Sequence, residues 1–181
     1  FDSLFSTALT EMTNAGLFSY RDFNFIDQNK ANRWVSPSYG ATNIILMAEK
    51  RSFSEELIRL AQLYGVTAQA VGGVSSRVTV ETMLTEMADA GHDLTKPFLV
   101  FAMVDFDPAG WNIAESFVEQ MLDLGLGKIR GFWPYGRERP RQPWIDMVSI
   151  RDLDTEFIKE RRHKISKKQD LADEWITATG G

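Results

Sequence analysis

Glu49, Asp105 and Asp107 are the residues with the most chemistry to offer. Glu49 closes the apolar run Ile44 to Ala48, and the two aspartates close the run Phe98 to Val104. Carboxylates brought to one place repel each other and raise their own pKa values unless a cation neutralises them. Magnesium or manganese suits an all-oxygen donor set and keeps several of its waters. Such a centre serves phosphoryl transfer or phosphodiester cleavage rather than redox or acyl-transfer chemistry. Asp105 and Asp107 are two residues apart, so on an extended chain they point the same way. Glu49 joins them if the two runs are neighbouring strands. Each acid also has a plainer reading. Asp107 before Pro108 is a helix N-cap with proline at the first helical position, and Glu49 beside Lys50 and Arg51 reads as loop charge in solvent.

Composition removes the competing chemistries. The chain has no cysteine, which excludes disulfides, thiolate zinc sites and cysteine nucleophiles, and two histidines, His92 and His163, which are too few for a histidine-rich metal centre. His92 follows Gly91 in an expected surface loop, and His163 has no second metal-type neighbour. With 181 residues, 44% hydrophobic and 25% charged, the chain is expected to form one domain with a real core. Its longest apolar run, Phe98 to Val104, lies between Pro97 and Asp105, far short of the about 18 residues of a membrane span. A net charge of −5 does not advertise a polyanion ligand, although the sign of a local face matters more than the total. The chain opens at Phe1 with no signal-peptide pattern. The expectation is a segment of a longer protein, cytoplasmic, and nucleoid-associated if prokaryotic.

The elements that must position these acids follow from periodicity. Leu4, Phe5, Ala8, Leu9 and Met12 form one face of a helix from Phe1 to Ala15 that stops at Gly16. Tyr20 to Tyr39 is aromatic and irregular, with Pro37 and Gly40 marking a loop. Ile44 to Ala48 reads as a buried strand. A Ser52–Glu55 capping box opens a helix carrying Phe53, Leu57, Leu60, Ala61 and Tyr64 to Gly65. Val66 to Val71 is a short strand closing on Gly72-Gly73. Ser75 or Ser76 caps the next helix, with the stripe Val80, Met83, Leu84 and Met87. Phe98 to Val104 is the strongest strand, followed by a helix that buries Ile113, Phe117, Met121 and Leu122. Lys128 to Trp133 or Trp144 to Ile150 supplies a further strand, and Leu153 to Trp175 reads as a basic helical tail. Strand–helix alternation of this kind predicts an α/β fold, a parallel sheet with helices on both faces. In such sheets ligands bind beyond the carboxyl ends of the strands.

The strings "ILMAEK", "VGG" and "FAMVDFDPAGWNI" at the ends of the three strands together resemble the Toprim domain. The nearest branch is that of the A subunit of type IIB topoisomerases, the related meiotic double-strand-break proteins and certain prokaryotic nucleases. The resemblance spans roughly Ile44 to Ile150. It implies a Rossmann-like Toprim domain over 41–150, a helix and connector to an upstream domain over 1–40, and a basic extension over 151–181. It further implies DNA cleavage with Mg2+ or Mn2+, Glu49 as metal ligand or general acid/base, Asp105 and Asp107 as metal ligands, and Gly110 as the small residue at the helix start. The partners it implies are DNA, a second copy of the chain and an ATPase subunit, with no membrane. In the topoisomerases the attacking tyrosine lies on a separate winged-helix domain, for which the residues ahead of Glu49 are too few. Tyr20, Tyr39, Tyr64 and Tyr135 sit in no motif that marks a nucleophile.

A polyanion held at a carboxylate patch needs flanking cations. Lys50 and Arg51 beside Glu49 are candidates for phosphate contact, as are Arg137, Arg139 and Arg141 among Trp133, Tyr135 and Trp144. The tail adds Lys159, Arg161, Arg162, Lys164, Lys167 and Lys168. These groups would track a DNA backbone rather than read bases, although charge runs are commonly solvated faces. Gly72-Gly73 with Ser75-Ser76-Arg77 forms either an amide cradle for phosphate or an ordinary strand-to-helix turn. The competing function is a non-catalytic DNA-binding or assembly domain. A phosphatase would want its Asp-x-Asp on the first strand, and a phosphoacceptor receiver a lysine closing a late strand; neither pattern is present.

Overall fold

The structure, a computed structural model, describes residues 2–38, 42–105 and 107–124 and the backbone of 145–148. In chain order the elements are α1 (Asp2–Asn14), β1 (Arg33–Trp34), β2 (Asn43–Ala48), α2 (Ser54–Tyr64), β3 (Thr67–Ala70), α3 (Arg77–Asp89), β4 (Phe98–Met103), α4 (Pro108–Asp123) and β5 (Ile145–Val148). They build a five-stranded sheet in the order β1-β3-β2-β4-β5. Strands β3, β2, β4 and β5 run parallel, whereas β1 pairs antiparallel with β3, Arg33 opposite Gln69. The fold is therefore α/β and Rossmann-like, but its sheet is mixed rather than wholly parallel. Strand β1 comes from the aromatic stretch expected to be irregular, and its two residues are too short for a period-2 signal to register. β5 falls within the Trp144 to Ile150 alternative.

Side-chain alternation divides the core. Ile45 and Met47 of β2 join Phe98, Val100 and Ala102 of β4 beneath α3 and α4, which contribute Met83, Met87, Phe117 and Met121. Ala48 packs on the other face with Ala68 and Ala70 of β3 and with Leu57 and Ala61 of α2, and Leu46 closes against them. The stripes expected on α3 and α4 are buried as their spacing requires. Leu4, Phe5 and Met12 of α1 stay exposed, by 76%, 66% and 41%. Periodicity specifies an apolar face but not what covers it. No helix among the described residues is long and apolar enough to cross a membrane.

Two helix starts differ from expectation. The Ser52–Glu55 box does not form: a 3-10 turn over Arg51–Phe53 precedes α2, and Phe53 stands at the cap without a side-chain hydrogen bond. A capping box closes instead at Ser19, whose N–H donates to Asp22 Oδ2 at 2.7 Å while its hydroxyl accepts from the Asp22 N–H at 3.3 Å. Ser76 caps α3, accepting from the Thr79 N–H at 3.2 Å.

A buried polar network fastens the segment before β2 to the sheet. The Arg33 side chain is 1% exposed and pairs with Asp27, itself 3% exposed. Arg33 also donates to Gln69 Oε1 at 2.6 Å and Glu86 Oε2 at 3.0 Å, while the Thr79 hydroxyl donates to Asp27 at 2.8 Å. Five residues from four parts of the chain thus share one polar knot, dry at Arg33 and Asp27 and open to solvent at Glu86, whose side chain is 32% exposed. Its members are mostly charged or polar residues scattered among exposed ones, so no periodicity marks them.

Candidate functional site

The site is built by the crossovers. β2 leads into α2 on one face, β4 leads into α4 on the other, and β2 and β4 are adjacent, Ala48 opposite Met103. Neighbouring strands whose connections leave to opposite faces open a crevice at their carboxyl ends. Glu49 follows β2 and Asp105 follows β4, so both stand at that switch point.

Backbone contacts hold Glu49 from two sides. Its N–H donates to the Met103 carbonyl at 3.0 Å, and its own carbonyl accepts from the Gly72 and Gly73 N–H groups at 2.7 and 3.2 Å. The two glycine amides are thereby occupied, which makes the Gly72-Gly73 segment a brace for Glu49 and not an open phosphate cradle. Gly72 sits at φ +72°, and a Cβ there would lie 2.5 Å from Arg51 Nε. The half-buried Glu49 side chain reaches across to β4, where Oε2 accepts the Asp105 N–H at 3.1 Å.

Asp105 directs its carboxylate to Lys50, whose Nζ donates to Oδ1 at 2.9 Å and Oδ2 at 2.7 Å. The hydrogen bond to Asp105 raises the Lys50 pKa above its ordinary value, and the charges of Asp105, Glu49 and Asp107 push it in the same direction. One ammonium therefore feels all three acids. Asp107 is turned otherwise. Its N–H donates back to the Asp105 carbonyl at 2.9 Å, a closure that an extended strand cannot make, so the alternation expected to align the two aspartates is replaced. Asp107 Oδ1 accepts the Gly110 N–H at 2.8 Å and caps α4. The helix start can approach this closely because residue 110 is glycine: a Cβ there would run into the Asp105 backbone.

The donors fit a hard divalent cation in kind. They are all carboxylates, and a cationic group, the Lys50 ammonium, is already seated on one of them. Among the described residues, however, no three His, Asp or Glu side chains stand close enough to hold a metal ion. Asp105 is engaged by Lys50 and Asp107 by the Gly110 amide. Glu49 and Asp105 are brought together; Asp107 is beside them but faces its own helix.

The remaining candidates fall in different places. Arg51 is exposed and lies over Gly72. Arg137, Arg139, Arg141, Arg161, Lys164, Lys167 and Lys168 lie outside the described residues, as do His163, Tyr39, Tyr135 and the stretches Lys128 to Trp133 and Leu153 to Trp175. His92 is not a free surface residue. Its Nδ1 meets Asn43 Oδ1 at 2.9 Å and its Nε2 meets the Ser36 carbonyl at 2.8 Å, tying two segments at the amino edge of the sheet. A pocket of about 320 Å³ opens there, lined by Ser36, Thr42, Ile44, Tyr64, Gly65, Val66 and His92 and holding none of the three acids. Tyr64 is 72% exposed beside it, at the edge away from Glu49, and Tyr20 is buried. The chain matches no protein-family model and no curated protein.

Proposed function

We propose that the chain is a Toprim-type domain that cleaves DNA phosphodiesters with the aid of Mg2+ or Mn2+. The observation carrying this reading is the placement of Glu49 and Asp105 at the carboxyl ends of adjacent parallel strands, at the switch point of the sheet. The acid-bearing strings resemble Toprim, and the fold puts them where α/β sheets bind ligands. The resemblance assigns the ion to Asp105, Asp107 and Glu49, which would have to come together from the separate engagements of Asp105 with Lys50 and of Asp107 with the Gly110 amide. When bound, the ion would draw negative charge from the scissile phosphate. Glu49 would place a carboxylate beside the reacting oxygen to move a proton. Lys50, Arg51 and the basic segments 137–141 and 159–168 would hold the flanking phosphates. A second copy or an upstream domain would supply the attacking tyrosine if the reaction is a transesterification, and an ATPase subunit is the partner that the resemblance suggests in that case.

The test is incubation of the protein, with and without its upstream region, with supercoiled plasmid and Mg2+ or Mn2+. Nicked or linear DNA free of protein is expected from hydrolysis, and covalently linked protein from tyrosine attack. Plasmid left intact by a protein that nonetheless retards DNA would favour the non-catalytic assembly reading.

A further inference from the structure

The cavity of about 320 Å³ lies where β2 and β3 begin, and β2, six residues long, separates it from Glu49 by about 20 Å. We propose that this cavity binds an uncharged flat ring bearing an amino group, the chemistry of an adenine-type nucleobase. The proposal does not depend on the metal-dependent reading, which concerns the opposite edge of the sheet.

Hydrogen bonds set the walls in advance. His92 ties Ser36 to the first residue of β2, meeting the Ser36 carbonyl at 2.8 Å and Asn43 Oδ1 at 2.9 Å. Asn43 is anchored in turn: its Nδ2 donates to the Asp93 carbonyl at 2.9 Å and its N–H to the Pro97 carbonyl at 2.8 Å. Across the cavity, the Val66 N–H donates to the Ala61 carbonyl at 2.9 Å and closes the turn from α2 into β3. Three connecting segments are thereby pinned around one space, the preformed concavity that small ligands select. Both His92 nitrogens are engaged by the wall, so hydroxyls are the polar side-chain groups left for a ligand. They belong to the exposed Thr42 and to Ser36, whose Oγ has Thr67 Oγ1 and His92 Nε2 no nearer than 3.4 Å.

The lining decides the chemical class. It contains no Asp, Glu, Lys or Arg, and an ion moved there would lose water without gaining a counter-charge. Helix α2 ends at Tyr64 on the rim. Its last carbonyls put the negative end of the helix dipole there, which disfavours phosphate or carboxylate and favours an N–H donor. Ile44 and Val66 give an apolar wall, and Tyr64, 72% exposed, leaves its ring open to lie against a flat ligand. A base with an exocyclic amine meets each demand: ring faces for the wall and Tyr64, ring nitrogens for the hydroxyls, and the amino group for the carbonyls. Such a base arrives either as a free nucleoside or on a single strand of nucleic acid.

The experiment is a 15N–1H NMR titration of the protein with adenosine, inosine, adenosine 5′-monophosphate and a short oligodeoxyadenylate. Adenosine should shift the amides of Thr42, Gly65 and His92 with a Kd on the order of 0.1 to 1 mM, while the Asp105 amide stays fixed. Inosine, with a carbonyl in place of the amino group, and the monophosphate should each bind at least about 3-fold more weakly. Tyr64→Ala should weaken adenosine binding about 5- to 10-fold, the loss of one stacking contact, and Thr42→Val about 3-fold. Both positions are exposed, so melting temperatures close to wild type are expected and keep the comparison fair. Oligodeoxyadenylate that moves the same amides more strongly per base supports recognition on a strand, and adenosine alone moving them supports a free nucleoside. Binding indifferent to both substitutions, tighter binding of the monophosphate, or no shift of these amides up to about 10 mM adenosine overturns the proposal.

Discussion

Glu49 and Asp105, 56 residues apart in the chain, are joined by a hydrogen bond from the Asp105 N–H to Glu49 Oε2 at 3.1 Å. The contact ties the acid closing β2 to the backbone closing β4, so the position of one carboxylate sets the position of the next. It also makes Glu49 a structural acceptor as well as a candidate catalytic acid/base.

Glu49→Gln should separate those roles. The amide oxygen can still accept the Asp105 N–H, and a half-exposed edge position of this kind shifts stability by no more than about 0.5 kcal/mol. Loss of the negative charge relieves repulsion from Asp105 and Asp107, so the melting temperature without added metal should equal or exceed that of wild type. Plasmid cleavage should fall by orders of magnitude. A variant that unfolds readily would show that the charge itself is needed for folding, and normal cleavage would remove Glu49 from the chemistry.

Asp107 invites a comparison of Ala with Asn. Asp107→Ala removes the cap on α4 and should cost about 1 kcal/mol in urea unfolding, whereas asparagine caps nearly as well as aspartate and should cost little. Both should lose Mn2+ affinity if the second aspartate is a ligand. Full affinity in a stable Asp107→Asn protein would leave the residue as a cap only.

Arg33→Met strips the partner from a buried Asp27. An uncompensated buried carboxylate costs about 3–5 kcal/mol, enough to lower the denaturation midpoint severely. Replacing Asp27 by Asn in the same protein should recover part of the loss. If Arg33→Met costs under about 1 kcal/mol, water reaches the pair and the knot is not dry.

Asp93 gives a pH-dependent contrast. The Thr95 hydroxyl and N–H donate to its Oδ1 at 2.6 and 2.9 Å and hold its pKa below the ordinary 3.8. A depressed carboxylate contributes stability above its unfolded pKa and loses it as pH falls through the folded one. Asp93→Ala should therefore melt slightly below wild type at pH 7, with the gap closing in strong acid. A gap that stays constant from pH 7 to pH 2 would make the contribution independent of charge.

The basic tail should act on the DNA backbone. Reversing Lys164, Lys167 and Lys168 to Glu should weaken binding across all sequences and flatten the dependence of log affinity on log salt, since each lost phosphate contact removes about 0.9 from the slope. An unchanged slope would place these charges in solvent.

The sequence by itself determined what is local. Apolar runs marked β2, β3 and β4, the stripe Val80, Met83, Leu84 and Met87 oriented α3, and the Ser75-Ser76 pair and Asp107-Pro108 placed two helix starts, because each of these signals lies within a few residues. It also set acids at two strand ends, but whether they meet depended on β2 and β4 becoming neighbours. Only the packing of the whole chain decides that, because crossover handedness and burial choose among strand orders that read alike in sequence. Tertiary structure likewise seated Lys50 on Asp105 and turned Asp107 into its helix. It drew Asp27, Arg33, Gln69 and Thr79 into one buried knot that Glu86 closes at the surface. A charged side chain has no periodicity to announce its partner, and the pairing energy appears only when folding brings distant segments within hydrogen-bonding distance and removes the water between them.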